Sequence, residues 1–298
     1  MVVKFILALA ATLSLLIPNL TLAQVSMADR LAPGQSPVIV ADGRMRDVDF
    51  PDDSLAAFRW AIDRGVDMLV VNVQRTGDDK YIVLNEATLT RSTNVRDSYP
   101  KGAPRRDPGD AAARWHLVAD YTLEEIKQLR LLDPKGGDHP VPTLEETLDL
   151  IDGRILAVLN LKGYDVESLS ALLKSRETEG LLLNDRDDLP NLRAITEATG
   201  IGAWSGVFDA HDPMAALEER MRRFGSDMKV IDVESDQLNP DFVARAEQLG
   251  VRLCLRGMGW EDVALTGGNT KPWLEAFDGP TALFMTEYPD TVLGLMGR

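Results

Sequence analysis

The chain has 298 residues, of which 45% are hydrophobic and 27% charged, a balance typical of a globular protein with one large core or two modest ones. Its formal net charge of −15 disfavours nucleic acid and anionic membranes as partners, so a small anionic ligand would need a local positive patch. Cys254 is the only cysteine, which excludes an intrachain disulfide.

The first 23 residues have the three parts of a signal peptide. Lys4 provides positive charge, residues 5–17 form an uncharged apolar run that ends at Pro18, and small residues before Gln24 provide a cleavage site. The run is shorter than the about 20 residues of a membrane span, although a retained anchor stays open as an alternative. We therefore predict a mature domain over residues 24–298, without a stable membrane anchor, in a periplasmic or secreted location.

Short apolar segments then alternate with amphipathic helices. The first strand candidate covers residues 38–40, and Ser54 is placed to cap a helix with apolar residues at helical spacing. Residues 68–73 form a continuous apolar run, as expected for a strand buried on both faces. Only seven residues separate this run from the candidate at 81–84, too few for a crossover helix. The second strand of this pair should therefore return antiparallel, as a hairpin arm.

The remaining strand candidates are separated mostly by helical stretches. They cover residues 155–161, 181–183, 203–208, 229–233, 252–255 and 282–285. Without the hairpin arm the count is eight, which predicts an α/β fold, a single (β/α)8 TIM-type barrel with an added β-hairpin after the second strand. A doubly wound sheet would have fewer strands and a Gly-rich first turn, which residues 42–45 do not provide.

Residues 94–121 differ from the rest of the chain. They combine prolines, glycines and mixed charges without apolar periodicity, which predicts a long loop beside the barrel mouth. Two roles stay open for this loop, a solvated excursion or a lid or docking surface.

Six short motifs follow one another along the chain. They read VADG at residues 40–43, PDDSLAAF at 51–58, VVNVQ at 70–74, NEATLTRSTN at 85–94, NLK at 160–162 and TEYPD at 286–290. In these motifs the chain resembles the glycerophosphodiester phosphodiesterase family, in which they read roughly AHRG, PENTLAAF, ELDVQ, HDETLDRTTN, EIK and TDYPD. The resemblance implies a barrel fold and an ancestry among phosphoric diester hydrolases of lipid metabolism. The scaffold residues of the motifs are retained, whereas the residues that perform the chemistry are replaced.

The resemblance places the family's general acid and base at positions that carry no titratable group. Its two histidines correspond to Ala41 and Asn85, and neither residue exchanges a proton near neutral pH. The arginine that helps to hold the phosphate corresponds to Asp42, which reverses the charge.

The family's metal ligands correspond to Val70, Asn72 and Asn160. Valine has no ligand atom and asparagine offers a neutral oxygen, whereas Mg²⁺ and Ca²⁺ sites are built around carboxylates. We therefore expect no metal or other cofactor, and Mg²⁺ or Ca²⁺ only if the protein is an active hydrolase.

Three cations are candidate ligand-binding residues. Lys162 and Arg91 keep the positions of the family's phosphate-contacting lysine and of the arginine of its DRTTN motif, and Arg256 follows a predicted strand. These side chains could hold an anion directly through charge-assisted hydrogen bonds. Equally open is a structural role, in which Arg91 and Lys162 pair with Asp42 or Glu86.

The histidines and one acidic pair are weaker candidates. His116, His139 and His211 are interpreted as surface loop residues, because their spacing matches neither a metal site nor a catalytic triad. Asp52 and Asp53 match the glutamate and asparagine of the PENT motif and are interpreted as acidic residues before a helix start.

Three hypotheses of function result. The first is an exported, non-catalytic family member, a pseudoenzyme that binds an anionic phosphate or phosphodiester ligand or a protein partner. The second is an active hydrolase of glycerophosphodiesters or related lipid-derived substrates, in which Asp42 and Glu86 face one cavity as acid and base. The third is an assembly protein whose barrel mouth is filled by side chains.

Overall fold

A computed structural model describes residues 26–32, 34–35, 37–107 and 109–298, and the predicted signal peptide lies outside these residues. Eight parallel strands form a closed barrel in the order β1-β2-β4-β5-β6-β7-β8-β9, and β9 pairs with β1. The strands are β1 Val38–Ala41, β2 Met68–Arg75, β3 Tyr81–Val83, β4 Leu156–Leu161, β5 Leu181–Asn184, β6 Gly202–Gly206, β7 Met228–Val233, β8 Arg252–Arg256 and β9 Leu283–Thr286. The strand β3 lies outside the ring and pairs antiparallel with β2, so the predicted barrel and hairpin are both confirmed.

Twelve α-helices surround or extend the barrel in the described part of the chain. They are α1 Met27–Arg30, α2 Leu55–Arg64, α3 Val95–Ser98, α4 Leu123–Lys127, α5 Leu144–Ile151, α6 Val166–Lys174, α7 Leu189–Thr199, α8 Pro213–Phe224, α9 Pro240–Leu249, α10 Trp260–Thr266, α11 Lys271–Phe277 and α12 Pro289–Leu295. Their ends follow local chemistry. Ser54 caps α2 as predicted, by accepting a hydrogen bond from the Ala57 N–H at 3.1 Å, and Gly65 ends the helix in the left-handed conformation. None of the described helices is long and apolar enough to cross a membrane.

The barrel separates two apolar layers because side chains along a strand alternate between its two faces. Val40, Val70 and Val158 belong to the interior cluster, whereas Ala41 and Val71 pack between the strands and the outer helices. Two residues further along β2, β4 and β7, the inward positions are the polar residues Asn72, Asn160 and Asp232. The apolar plug of the barrel therefore ends below a polar mouth at the carboxyl ends of the strands, where (β/α)8 barrels place their sites.

Residues 94–121 are not the unstructured excursion that their composition suggests. They contain α3 and two short 3₁₀ helices, and they contribute Val95, Val118 and Tyr121 to a third apolar cluster that covers β3. His116 is 4% exposed and its Nδ1 lies 2.6 Å from the Tyr121 hydroxyl, so the interpretation of His116 as a surface residue is wrong. The elements are too short to give a helical or strand period, which is why the sequence pattern does not reveal them.

Candidate functional site

An open cavity of about 620 Å³ occupies the barrel mouth. Its floor consists of the inward-facing residues that follow the apolar interior, and its polar members include Asn72, Asn160, Asn184 and Asp232. The mouth is therefore not filled by side chains, and this observation removes the structural argument for a pure assembly protein.

The positions that match the family's metal ligands form a chain of hydrogen bonds. Asn160 Nδ2 donates to Asn72 Oδ1 at 2.9 Å, and Asn72 Nδ2 donates to Asp53 Oδ1 at 2.9 Å. The second oxygen of Asp53 accepts a hydrogen bond from the Asn85 backbone N–H at 2.8 Å. We call the Asn160–Asn72–Asp53 series the amide ladder. Residues 72 and 160 can meet because they are direct register partners on β2 and β4.

The amide ladder does not suit a divalent metal ion. The Asn72 oxygen is occupied by the Asn160 amide, Val70 has no donor atom, and the ladder contains a single carboxyl group, that of Asp53, whose Oδ1 is occupied by the Asn72 amide. Across the described residues, no group of three or more His, Cys, Asp or Glu side chains is arranged to hold a metal ion.

Asp53 is a buried hydrogen-bonding residue of the barrel end, which its position before a helix does not predict. It was interpreted as an acidic residue before a helix, but Ser54 provides the helix cap and the Asp53 carboxyl is 1% exposed inside the barrel end. Burial raises the pKa of Asp53 to about 7. The neighbouring Gly43 leaves room for this carboxyl, because a Cβ at that position would lie 2.4 Å from Asp53 Oδ1.

On the first strand, Asp42 faces the cavity and Ala41 does not. The Ala41 side chain packs in the outer layer, against the helices, so it does not occupy an acid–base position in the mouth. Asp42 Oδ1 accepts hydrogen bonds from Arg44, from N at 3.0 Å and Nε at 3.4 Å. Burial raises the pKa of Asp42, and its interactions with Arg44 oppose this shift. Arg44 in turn pairs with Glu287 at 2.7 Å.

The predicted cations do not all converge. Lys162 and Arg256 both line the mouth cavity. Lys162 is exposed and its ammonium has no partner among the described residues, while Arg256 stacks on the Phe208 ring at 4.4 Å and lies 3.6 Å from Glu234. Arg91, in contrast, lines a separate cavity of about 370 Å³.

Arg91 and Glu86 form an ion pair, as the structural alternative for Arg91 predicted. Arg91 Nη1 lies 2.9 Å from Glu86 Oε1, and Glu86 also accepts a hydrogen bond from Ser92 Oγ at 3.0 Å. Glu86 lies outside the mouth cavity. The proposed acid–base pair of Asp42 and Glu86 therefore does not face one cavity, which contradicts the geometry that the second hypothesis requires.

The β6–β8 side of the cavity contains residues that sequence reasoning missed. Trp204 is fully buried and Asp232 is 5% exposed, yet both line the cavity. Among the described residues, neither Trp204 Nε1 nor Asp232 Oδ1 makes a hydrogen bond of good geometry. Burial raises the pKa of Asp232 to about 7, and a weaker hydrogen-bonding contact with the Trp204 side chain and the charge of Arg256 oppose the shift. The sequence does contain one sign of this site. Asp232 is the one acidic residue in the apolar run 229–233, and the alternation of side chains along a strand places it on the inward face.

The rim also contains Arg186, which was not predicted. Its guanidinium lies 5.5 Å from the centre of the Phe208 ring and 3.3 Å from Asp187. The two remaining histidines are not at the site. His139 lies 3.3 Å from Asp133, and His211 is exposed.

Comparison with known proteins places these features in a family. A model of the Glycerophosphoryl diester phosphodiesterase family matches residues 46–188, a range that begins after Asp42 and includes the amide positions and Lys162. A glycerophosphodiester phosphodiesterase of Bacillus altitudinis is 28% identical over 116 residues, which are 38% of this chain and 40% of that protein. Another, from Caldanaerobacter subterraneus, is 32% identical over 104 residues, 34% of this chain and 35% of that protein. The chain thus matches less than half of the length of these curated relatives.

Solved structures share the fold over most of the chain. A glycerophosphoryl diester phosphodiesterase from Parabacteroides distasonis superposes with a TM-score of 0.72 at 18% identity and covers 92% of this chain and 93% of its own. A phosphodiesterase of Oleispira antarctica, solved in complex with the product sn-glycerol-3-phosphate, gives a TM-score of 0.66 at 18% identity, with 88% and 98% coverage. At these identities the likeness shows the fold.

The closed ring of eight parallel strands with an outer hairpin arm is a TIM barrel. Over residues 46–188 the chain matches the glycerophosphoryl diester phosphodiesterase family.

Proposed function

We propose that this chain is a non-catalytic member of its family that binds an anionic phosphate or phosphodiester ligand in the barrel mouth. The amide ladder is the observation that carries the proposal, because groups that bind one another stand where the family resemblance implies metal ligands. The resemblance implies two histidines as the family's general acid and base, and no histidine lines the cavity formed by the described residues.

The cations of the mouth support an anionic ligand. Lys162 has no partner of its own among the described residues, and Arg256 has one distant carboxylate at 3.6 Å. An ammonium and a guanidinium can hold phosphate oxygens directly, without a bridging metal ion. The cavity of about 620 Å³ is of a size that accommodates a small organic ligand.

One observation favours a remaining hydrolytic activity. Asp42 lines the cavity and burial raises its pKa, as expected of a general acid. Against this role, Asp42 is hydrogen-bonded to Arg44. Glu86, the second carboxylate that the mechanism requires, lies outside the cavity and pairs with Arg91.

The test combines turnover and binding on the purified protein. Hydrolysis of glycerophosphodiesters is measured with Mg²⁺, with Ca²⁺ and with chelator, and calorimetric titration with the same compounds measures binding. We expect no turnover in any condition and saturable binding that is insensitive to chelator. Metal-dependent turnover would overturn the proposal, and metal-independent turnover lost in Asp42→Asn would support the hydrolase alternative.

The proposal includes export to the periplasm or the medium, which the sequence of residues 1–23 supports. Cell fractionation and N-terminal sequencing of the mature chain test it. A first residue at Gln24 in the exported fraction is the expected result, and an intact Met1 in the membrane fraction would contradict it.

A further inference from the structure

A short 3₁₀ helix outside the barrel holds a tryptophan out of the fold. Trp115 is 62% exposed, although Ala113 and His116 on either side of it are buried. His116 contacts the Tyr121 hydroxyl at 2.6 Å, and its carbonyl accepts a hydrogen bond from the Leu89 N–H at 2.9 Å. The backbone that carries Trp115 is therefore tied to the fold on its buried side. A large exposed aromatic side chain in such a position is of the type that anchors protein interfaces.

A second loop lies alongside this helix and adds cations to it. The Ala103 N–H donates to the Ala113 carbonyl at 2.9 Å, which brings residues 101–105 next to the helix of Trp115. Gly102 allows this approach, because its φ is +104° and a Cβ there would lie 2.8 Å from the Ala113 oxygen. The exposed residues of the two segments are Lys101, Pro104, Arg105, Arg114 and Trp115, which we call the cationic face.

The charge balance of residues 94–121 is opposite to that of the whole chain. The segment contains five Arg and Lys residues and four Asp residues, whereas the chain has a formal net charge of −15. Two of these aspartates are already paired within the segment. Asp110 and Asp120 both contact Arg106, at 3.0 Å and 2.6 Å, so they do not neutralise the cationic face.

The cations of the face keep their charge available. Lys101 and Arg114 form no ion pair with any residue that the structure describes, and Arg105 approaches one carboxylate, that of Glu125, at 4.0 Å. An exposed contact at that distance contributes little, so a partner can replace it. The face thus combines an aromatic anchor with cations that lack close counter-charges.

An acidic protein segment is complementary to the cationic face. At physiological ionic strength, charges on a surface interact over a Debye length of about 8 Å, so a short acidic segment responds to the face alone. A membrane or a nucleic acid is extended and would also meet the rest of a chain with a net charge of −15. Trp115 and Pro104 add apolar contact, so the complementary segment has an apolar residue among its carboxylates.

We propose that the cationic face docks an acidic segment of a partner protein, with Trp115 as the apolar anchor and the three cations as its charge partners. The face lies outside the mouth cavity, since none of its five residues is among those that line the cavity. It is nevertheless attached beside the mouth, because the Val118 N–H donates to the carbonyl of Ala87, a residue of the cavity wall. The inference is therefore independent of the ligand proposed for the mouth.

The probe is a fluorescently labelled synthetic peptide in which one leucine lies between two runs of glutamate. Its binding to the purified protein is measured by fluorescence anisotropy. Trp115→Ala and Arg114→Glu should each weaken binding by about tenfold. Raising NaCl from about 0.05 M to about 0.5 M should weaken binding by a similar factor, because the added salt screens the cations. A peptide with lysine in place of each glutamate should not bind.

Two variants elsewhere on the surface are matched controls. Trp260→Ala removes a tryptophan that is also 62% exposed, and Arg59→Glu reverses an exposed arginine of α2. Each control should change the affinity for the acidic peptide by less than about twofold. Arg114→Glu is a surface substitution and keeps the test valid if Trp115→Ala lowers stability, which circular dichroism measures.

Three results would overturn the inference. The first is no saturable binding of the acidic peptide at low salt, and the second is an equal loss of affinity in the controls and in the variants of the face. The third comes from vesicles of phosphatidylglycerol and phosphatidylcholine, in place of the peptide. Vesicle binding that is lost in Trp115→Ala, without binding of the peptide, would assign the face to a membrane surface.

Discussion

The two sides of the barrel mouth differ in whether their buried polar groups are hydrogen-bonded to one another. On the β2–β4 side, Asn160, Asn72 and Asp53 bind one another in the amide ladder. On the β6–β8 side, Trp204 and Asp232 leave hydrogen-bonding capacity unused in a cavity wall. A group that satisfies its neighbours stabilises the fold, and a group without a partner is available to a ligand. The comparison therefore predicts a structural role for the β2–β4 side and a ligand-binding role for the β6–β8 side of the same ring of strands.

The first way to break this comparison is to remove the centre of the amide ladder. Asn72→Val leaves Asp53 Oδ1 without its donor and the Asn160 amide without its acceptor, so we expect the free energy of unfolding to fall by about 4 kcal/mol. The measurement is urea unfolding followed by circular dichroism. The matched control is Asn184→Val in the same row of the barrel, since Asn184 pairs in register with Asn160 and its side chain makes no hydrogen bond to a described residue. This control should cost less than about 1 kcal/mol, and equal losses in the two variants would contradict the structural role of the ladder.

The second prediction concerns the pH dependence that Asp232 gives to stability. Its folded-state pKa of about 7 lies above the ordinary value of 3.8, so the folded protein binds an additional proton between these two values. The contribution of Asp232 to the free energy of unfolding is therefore complete below about pH 4 and is lost as the pH rises through 7. In Asp232→Asn this loss is absent, so the variant should gain ~4 kcal/mol relative to the parent between pH 4 and pH 8. Urea titrations at several pH values measure the difference, and a difference that is constant with pH would show that Asp232 is ionised at low cost.

The third prediction sharpens the assignment of the phosphate site. Lys162→Met removes an unpaired cation from the mouth and should weaken binding of a glycerophosphodiester by about fivefold to tenfold, or ~1 kcal/mol. Arg91→Met is the matched control, because Arg91 keeps a family motif position but pairs with Glu86 at another cavity. The control should change affinity by less than about twofold. A larger effect from Arg91 than from Lys162 would place the phosphate outside the mouth.

The smallest expected effect is that of divalent metal. A ligand that binds only the folded state stabilises it by RT ln(1 + [L]/Kd), so a weak ligand barely raises the melting temperature. The amide ladder offers no set of carboxylates to bind a divalent ion tightly. Mg²⁺ or Ca²⁺ at about 1 mM should therefore shift the melting temperature by less than about 1 °C. A shift of several degrees that chelator reverses would show that the two sides of the mouth have been assigned wrongly.

Much of the fold can be predicted from the sequence. The apolar runs and their spacing predicted eight barrel strands, and the seven residues before the strand at 81–84 predicted the hairpin arm. These features depend on periods of a few residues, which local sequence expresses directly. The contribution of residues 94–121 to the third apolar cluster was missed, because the short elements in this segment have no such period.

The site was only partly predictable, because its contacts join residues that are far apart in the sequence. Motif positions located Asn72, Asn160 and Lys162 at the mouth, but not what each would contact. Asp53 and Asn72 are 19 residues apart in sequence, and Asn72 and Asn160 are 88 residues apart. Closure of the barrel decides such pairs, as it also decides that Arg91 leaves the mouth and that Trp204 meets Asp232.

The sequence by itself determined the order of strands and helices and the family, because periodicity and short motifs are local properties of the chain. The tertiary structure alone decided which polar groups are paired and which stay available. Hydrogen bonds depend on distances of about 3 Å between residues brought together only when the ring closes.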